Sequence, residues 1–151
     1  EDLALVKGDP SERRSFLDQT LIQRAPRYMG VKSDYEKVLR QRNALLKSTQ
    51  RENIDSTLDV WNEQLARIGA EIAHTRIQFI RDLTPFIHNR YHSISGGENA
   101  VSTSKISLAY QSKYLFDHNI DLLTEEEIRI AILEELTVRR KEELTRGITL
   151  V

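Results

Sequence analysis

The sequence predicts a mainly α-helical domain built around a long antiparallel helical hairpin, with shorter flanking helices and one or two short strands at its ends. Two apolar stripes with helical spacing, a short polar stretch between them, and two runs of alternating apolar residues predict this fold. We divide the 151 residues into four parts: a first helix within 1–26, the hairpin over 27–92, a loop and strand over 93–123, and a helix and final strand over 124–151.

The first helix is predicted to follow the turn signal Gly8-Asp9-Pro10. Ser11 is the expected N-cap, since a serine hydroxyl can accept a bond from a free amide of the first turn. Pro26 is expected to end the helix, because proline has no backbone N–H and clashes with the preceding turn. The expected apolar face consists of Phe16, Leu17, Leu21 and Ile22.

The first arm of the hairpin has heptad-like spacing that one cation interrupts. Apolar residues recur in steps of three and four at Tyr28, Val31, Tyr35, Val38 and Leu45, with Leu39 and Leu46 beside them. Arg42 occupies the seam position between Val38 and Leu45. Because a buried cation needs a partner, we expect Arg42 to bond a carboxylate or carbonyl groups of the opposing helix and so to fix the register.

The second arm carries its own apolar stripe, which drifts near its end. The stripe consists of Leu58, Trp61, Leu65, Ile68, Ile72 and Phe79, then Leu83, Phe86 or Ile87, and Tyr91. Trp61 and the tyrosines are expected in the core, and the polar residues 50–55 are expected to form the reversal between the arms. Pro85 lies inside the pattern, so we expect a kink there, or a break with Thr84 capping a new helix.

The last third is predicted to be a loop, a strand, a helix and a second strand. Residues 93–105 have loop composition, and residues 106–111 alternate between apolar and polar. Thr124 and Glu127 have the spacing of a capping box that opens a helix. That helix should end at Gly147, and the apolar run 148–151 should form a strand.

Composition excludes several classes of function. The chain has 22 Lys and Arg against 23 Asp and Glu, a formal charge of −1, which gives no general attraction to nucleic acid or to an anionic membrane. It has no cysteine, which excludes disulfides, thiol catalysis and Cys-bound zinc. The sequence starts at Glu1 and stops within an apolar run, so we interpret it as a segment of a longer protein.

No catalytic, metal or cofactor residue can be assigned from local motifs. His88 and His92 have i, i+4 spacing, but nothing nearby supplies the third ligand that a metal site needs. Ser93 beside His92 is not a nucleophile–base pair, because adjacent residues on a helix point apart. Gly96-Gly97 is not followed by the Lys-Ser/Thr step of a phosphate loop.

Basic residues are the remaining candidates for a site. Within residues 24–47 seven basic side chains stand against Asp34 and Glu36, and three of them fall opposite the apolar stripe: Lys37, Arg40 and Lys47. Such a stripe can follow a phosphate backbone, although a solvated outer helix face has the same pattern. Arg13-Arg14 has two interpretations as well: a phosphate contact, or a tether between the helix start and a nearby carboxylate.

Four motifs in order resemble the RecF family. Residues 1–18 are similar to its signature, in which a proline and an acidic residue lead into Leu-Val-x-Gly-x-Pro and then Arg-Arg-x-Phe-Leu-Asp. Residues 35–47 resemble its tyrosine followed by Leu-x-Gln-Arg-Asn-x-Leu-Leu-Lys, and residues 58–61 and 139–151 resemble it too. The signature residues matched here are Lys7, Gly8, Pro10, Arg13, Arg14, Phe16, Asp18, Gln41, Arg42 and Asn43.

The resemblance implies an SMC-like, ABC-type ATPase acting in recombinational repair, replication restart and the SOS response. Such a protein is cytoplasmic, binds DNA at gaps and single-strand/double-strand junctions, uses ATP and Mg²⁺, forms an ATP-dependent homodimer, and works with RecO and RecR. In the family the phosphate loop lies before this segment, and the signature helix and Mg²⁺-binding carboxylates lie after it. The segment is therefore expected to hold no cofactor or metal and to be inactive alone, as a helical arm that contributes DNA or partner contacts.

Two other interpretations stay open at this point. A helical coiled-coil adaptor or scaffold for protein–protein docking would have the same hairpin and no DNA role. A piece of another SMC-like ATPase is a third possibility, although the shortness of the hairpin argues against it.

Overall fold

The mainly helical prediction is confirmed by the computed structural model, which describes residues 9–48, 54–94, 108–112 and 122–151. Over these ranges the chain forms four helices: α1, Pro10–Arg24; α2, Arg27–Lys47; α3, Ile54–Ile94; and α4, Glu125–Arg146. Several predicted features lie wholly or partly outside the described residues: Gly8 of the first turn, most of the polar reversal, most of the loop over 93–105, and the start of the strand over 106–111.

The cap of α1 is Asp9, so the prediction of Ser11 was wrong. The Asp9 carboxylate accepts a hydrogen bond from the backbone N–H of Ser11 at 2.7 Å, and Pro10 is the first helical residue. Proline suits this position because its fixed φ is already helical and the N–H it lacks would have no helical partner. Ser11 therefore lies inside the helix. Phe16 is 51% exposed and does not join the expected apolar face, whereas Leu21 is buried.

The antiparallel hairpin of α2 and α3 is confirmed by contacts at both ends of α2. Near its start, Arg27 forms an ion pair with Glu71 at 3.5 Å. Near its end, Arg42 bonds Asn62 at 2.8 Å. The numbers in α3 fall as those in α2 rise, which only an antiparallel pair allows. The predicted stripe of α3 lines this contact, with Leu58, Leu65, Ile68 and Ile72 all buried.

Helix α3 continues through Pro85, so the alternative of a break with Thr84 as a cap is excluded. The Thr84 hydroxyl donates to the carbonyl of Ile80 within the same helix at 2.7 Å, a bond typical of a mid-helix threonine. At 1.5 Å per residue, the 41 residues of α3 extend about 60 Å, roughly twice the length of the 21-residue α2. Of the two stripe candidates near this end, Phe86 is 72% exposed and Ile87 is half-buried.

Helix α4 packs across the hairpin and turns a two-helix arm into a bundle. Leu136 of α4 is fully buried in the main core cluster with residues of α1, α2 and α3. Ile128 of α4 joins Ala70 and Ile77 of α3 in a second cluster. Burying an aliphatic side chain of this size contributes about 1.5–3 kcal/mol, so these apolar contacts help to hold α4 on the hairpin.

The predicted terminal strands are not formed in the residues that can be compared. Residues 108–112 and 148–151 contain no strand. In the second segment the backbone N–H of Thr149 donates to the Asn43 side chain at 2.8 Å, and that of Leu150 donates to the Glu143 side chain at 2.7 Å. Side-chain oxygens thus accept hydrogen bonds from backbone N–H groups that a neighbouring strand would otherwise bond. Alternating apolar residues are therefore not sufficient for a strand, which also requires a partner strand.

Both predicted ends of α4 are confirmed. The Thr124 hydroxyl accepts from the N–H of Glu127 at 3.2 Å, and the Glu127 carboxylate accepts from the N–H of Thr124 at 2.8 Å, which together make a capping box. Gly147 ends the helix with φ 65°, in the left-handed region that favours glycine.

Replacing Thr124 with alanine is expected to lower the free energy of unfolding by about 1 kcal/mol, because the Glu127 amide loses its acceptor. Thr137→Ala is the matched control: its hydroxyl only bonds a carbonyl within the helix, and its loss should change stability by less than about 0.5 kcal/mol. Urea unfolding followed by circular dichroism measures both variants. Equal losses in the two variants would contradict a stabilising cap at Thr124.

Candidate nucleic-acid interface

The three stripe residues of α2 are all exposed, but they are not equivalent. Lys37 donates to Asp34 at 3.0 Å, so its charge is partly compensated. Arg40 and Lys47 form no hydrogen bond or ion pair with any residue that the structure describes. Seven residues make nearly two turns of an α-helix, so side chains seven positions apart point within about 20° of each other. Arg40 and Lys47 therefore lie on one line along α2. We call the exposed line of Arg40 and Lys47 the cationic face.

The arginine pair of α1 is also exposed. Arg13 and Arg14 lie in the first turns of α1, close enough to Asp9 for their charges to act on it. The hydrogen bonds from Ser11 chiefly hold the pKa of Asp9 below its usual value, and the two arginine charges add to this effect. Arg14 lines a cavity together with Lys32 of α2. The structure therefore places Arg14 beside α2, near the start of its basic stretch.

A buried carboxylate, Asp18, anchors α1 to the hairpin. Its two oxygens accept from Nε and Nη2 of Arg76 at 2.9 Å each and from the Tyr28 hydroxyl at 2.8 Å, and Lys32 lies 3.2 Å away. Burial favours the neutral acid, but these donors outweigh it and hold the pKa of Asp18 below its usual range. Burial also raises the pKa of Tyr28, which keeps its hydroxyl protonated as the donor.

A buried cation, Arg42, joins the hairpin to α4. Arg42 and Glu143 are both 0% exposed, and the guanidinium donates to the carboxylate at 2.6 Å. The guanidinium also donates to Asn62 at 2.8 Å and to the Thr149 hydroxyl at 2.7 Å. The prediction of a buried, partnered Arg42 is confirmed. Its carboxylate comes from α4, however, and the opposing helix α3 supplies only the amide oxygen of Asn62.

The segment after α4 is bonded into the same network. Asn43 accepts from both the backbone N–H and the hydroxyl of Thr149, at 2.8 and 2.7 Å. Glu143 accepts from Arg42 with one oxygen and from the N–H of Leu150 with the other. Each buried polar group named here thus has a partner, as groups removed from water require.

Four of the ten residues matched to the family signature therefore serve the fold. Asp18, Arg42 and Asn43 hold elements together, and Pro10 starts α1. Gln41 and Phe16 are exposed, as are the two arginines of the signature. Lys7 and Gly8 lie outside the described residues.

Sequence reasoning missed the partners of these buried charges, although three of them left a signal. Asn62 follows Leu58 by four residues and precedes Leu65 by three, so it occupies a seam position of α3. Arg76 has the same spacing, four residues after Ile72 and three before Phe79. Glu143 follows Leu136 by seven residues, on the buried side of α4. A polar residue on an apolar stripe can therefore indicate a buried partner.

No group of three metal-ligating side chains occurs within the described ranges, and the His92 side chain lies outside them. The Ser93 hydroxyl donates to the carbonyl of Asn89 at 2.9 Å. No described helix is long and apolar enough to cross a membrane.

Replacing Arg42 with methionine is expected to destabilise the chain by about 3–5 kcal/mol, because Glu143 is left buried without its cation. Arg42→Lys keeps the charge but cannot make three bonds in one plane, so it should lie between wild type and Arg42→Met. Adding Glu143→Leu to Arg42→Met should recover part of the loss. Urea unfolding of the double-mutant cycle measures this coupling, and strictly additive losses would contradict the buried pair.

Asp18 is expected to make the stability of the chain depend on pH. Its folded pKa lies below the unfolded value of about 3.9, so its contribution is present above that pH and is lost as the pH falls through the folded pKa. Asp18→Asn should therefore be less stable than wild type at pH 7, and the difference should shrink below about pH 4. Asp34→Asn, at an exposed ion pair, is the control for unfolding measured between pH 7 and 2.5. A difference that stays constant over this range would contradict the role of the Asp18 charge.

Comparison with known proteins gives one consistent result. The chain is 40% identical over 168 residues to the DNA replication and repair protein RecF of Paenarthrobacter aurescens, 41% identical over 163 residues to that of Kineococcus radiotolerans, and 43% identical over 155 residues to that of Acidothermus cellulolyticus. Each alignment covers 100% of this chain but only 42%, 40% and 40% of the relative. No family model matches the chain.

A solved structure has the same fold. It is described as "Structure of the recombination mediator protein RecF-ATPrS in RecFOR pathway", and the likeness covers 100% of this chain and 38% of that one, with a TM-score of 0.73 and 24% identity. At this identity the likeness shows the fold alone. The relatives add the sequence evidence, because their likeness extends along the whole chain. Over its whole length the chain is therefore similar to one part of the RecF proteins, about two fifths of their length.

Proposed function

We propose that this chain is the helical arm of a protein of DNA replication and recombinational repair, and that its cationic face contacts the phosphate backbone of DNA. The observation that carries the proposal is the match of the whole chain to proteins named DNA replication and repair protein RecF. The exposed, uncompensated cations of α2 support the second part, because backbone contacts by Lys and Arg supply most of the affinity in non-specific DNA binding.

The geometry of the cationic face suits a phosphate backbone. Arg40 and Lys47 are about 10.5 Å apart along the axis of α2, at 1.5 Å per residue. Phosphates of one strand follow each other at about 3.4 Å along a duplex, so the two side chains reach phosphates about three positions apart. The whole chain carries a formal charge of −1, and attraction to DNA must therefore be local.

Three further exposed cations lie on α1 and α2. Lys37 precedes Arg40 by one turn, with its charge partly compensated by Asp34. Arg13 and Arg14 are exposed on α1, and Arg14 lies across a cavity from α2. We propose a subsidiary role in phosphate binding for all three.

The activities that need the rest of a RecF-type protein belong to the same proposal. ATP and Mg²⁺ would bind outside this chain, which has no phosphate-loop sequence, and the structure described with ATPrS supports nucleotide binding by that protein. The RecFOR pathway in the description of that structure supports RecO and RecR as partners. Binding at DNA gaps, an ATP-dependent homodimer and a cytoplasmic location complete the proposal.

Binding of the chain to a fluorescein-labelled gapped duplex, followed by anisotropy from 50 to 200 mM salt, tests the cationic face. Wild type should bind at low salt, with an affinity that falls steeply as salt rises. Arg40→Glu/Lys47→Glu should weaken binding by at least about tenfold at low salt and reduce the slope of log K against log salt by about two, since each lost phosphate contact removes about 0.9. Adding Lys37→Glu should have a smaller further effect.

Arg67→Glu/Arg81→Glu is the matched control, with the same change of charge at two exposed residues of α3. Equal weakening by this pair would mean that net charge, not the cationic face, governs binding. Absence of binding at 50 mM salt would overturn the DNA role of the arm and favour a docking scaffold.

A further inference from the structure

A cavity of about 430 Å³ lies between the four helices, with residues 108–112 on one side. Its floor is apolar and includes Leu39, Leu65, Ile72 and Ile132. Two tyrosines, Tyr35 and Tyr110, also line it. This volume is within the range of about 300–1,000 Å³ for small-ligand sites, which combine apolar and aromatic walls with a few polar groups.

The mouth of the cavity carries a small excess of positive charge. Arg14, Lys32 and Arg76 line the cavity against the carboxylates of Asp18 and Glu36, and Lys32 and Arg76 are themselves paired with Asp18. Asp18 is already bonded to Arg76, Tyr28 and Lys32, so it has little capacity for further donors. Glu36 is exposed at the edge and is the one carboxylate that opposes an entering anion.

Arg14 is the group best placed to receive that anion. Its side chain is exposed and makes no hydrogen bond or ion pair within the described ranges. The hydroxyl-bearing residues Ser11 and Ser15 line the cavity beside it, three residues before and one after in α1. A guanidinium with neighbouring hydroxyls is the donor set that a phosphate prefers.

We propose that this cavity takes one unpaired nucleotide, with the phosphate at Arg14 and Lys32 and the base over the apolar floor. Apolar walls with aromatic rings accept the flat face of any base, and the cations accept the charge attached to it. The position supports a nucleotide within a strand: Lys32 lies eight residues, about 12 Å, from Arg40 along α2. A strand held on the cationic face therefore reaches the mouth within a few nucleotides. The placement of the nucleotide within a strand rests on the proposed function. A free nucleotide offers the same phosphate and base to the cavity and needs no strand.

The first test compares two gapped duplexes that differ only in the gap, one with normal nucleotides and one with abasic nucleotides. If a base enters the cavity, wild type should bind the normal gap about tenfold more tightly, as expected for the loss of one stacked base. Ala73→Leu, which places a larger side chain into the cavity, should abolish this preference and leave the abasic affinity unchanged. Ala73→Ser is the control at the same site with nearly unchanged volume.

Two rim variants keep the test independent of core packing, since both residues are exposed. Arg14→Glu should weaken binding of the normal gap, whereas Glu36→Gln should strengthen it a fewfold. Equal affinity of wild type for the two duplexes would overturn insertion of a base while leaving DNA contact by the cationic face intact.

The second test uses dAMP, detected by saturation-transfer NMR, and separates the two sources of the nucleotide. In one outcome wild type binds dAMP, Ala73→Leu does not, and the chain binds neither duplex. This outcome would retain the cavity as a free-nucleotide site and overturn the DNA role. Binding of neither dAMP nor DNA overturns both proposals.

Discussion

The fold depends on a guanidinium that has no contact with water. Arg42 is 0% exposed, and a charge in that position is tolerated only if its donors are satisfied. The three acceptors come from three places: Asn62 in α3, Glu143 in α4 and Thr149 in the segment after α4. A shift of any one of these elements along its axis would leave a buried charge or amide unpaired. Apolar packing alone would permit such a shift, because a leucine that moves along the helix axis can occupy the place of the next leucine in the stripe.

Asp18 plays the corresponding role for the first helix. Its partners are Tyr28 and Lys32 of α2 and Arg76 of α3, so one carboxylate joins α1 to both arms of the hairpin. Helix α1 buries few side chains, chiefly Leu21 and Asp18 itself. The contacts of Asp18, together with the packing of Leu21 in the core, therefore fix α1 and its two arginines relative to α2. Asp18 and Arg42 both lie in the motifs that resemble the RecF family, and both serve the architecture.

The division between buried and exposed charge separates structure from proposed function. Charges inside the bundle are paired and set the register, whereas Arg14, Arg40 and Lys47 are exposed on α1 and α2 and have no partner among the described residues. Surface cations without an ion pair contribute little to the free energy of unfolding and are available to bind phosphate. These exposed cations are the residues on which the proposed DNA contact rests.

The sequence by itself determined the helices, both ends of α4 and the hairpin, because these depend on local spacing. The stripe of α3, the capping box at Thr124 and the glycine at the end of α4 each follow from residues within one or two turns. It also indicated that Arg42 needs a partner. Only the tertiary structure decided which partner, since Glu143 lies 101 residues away and no local pattern encodes such a distance. The same reason explains the final segment. Its alternation of apolar residues predicted a strand, but the side chains of Asn43 and Glu143 accept hydrogen bonds from its backbone instead. Whether a backbone N–H bonds a strand or a side chain depends on what packs beside it.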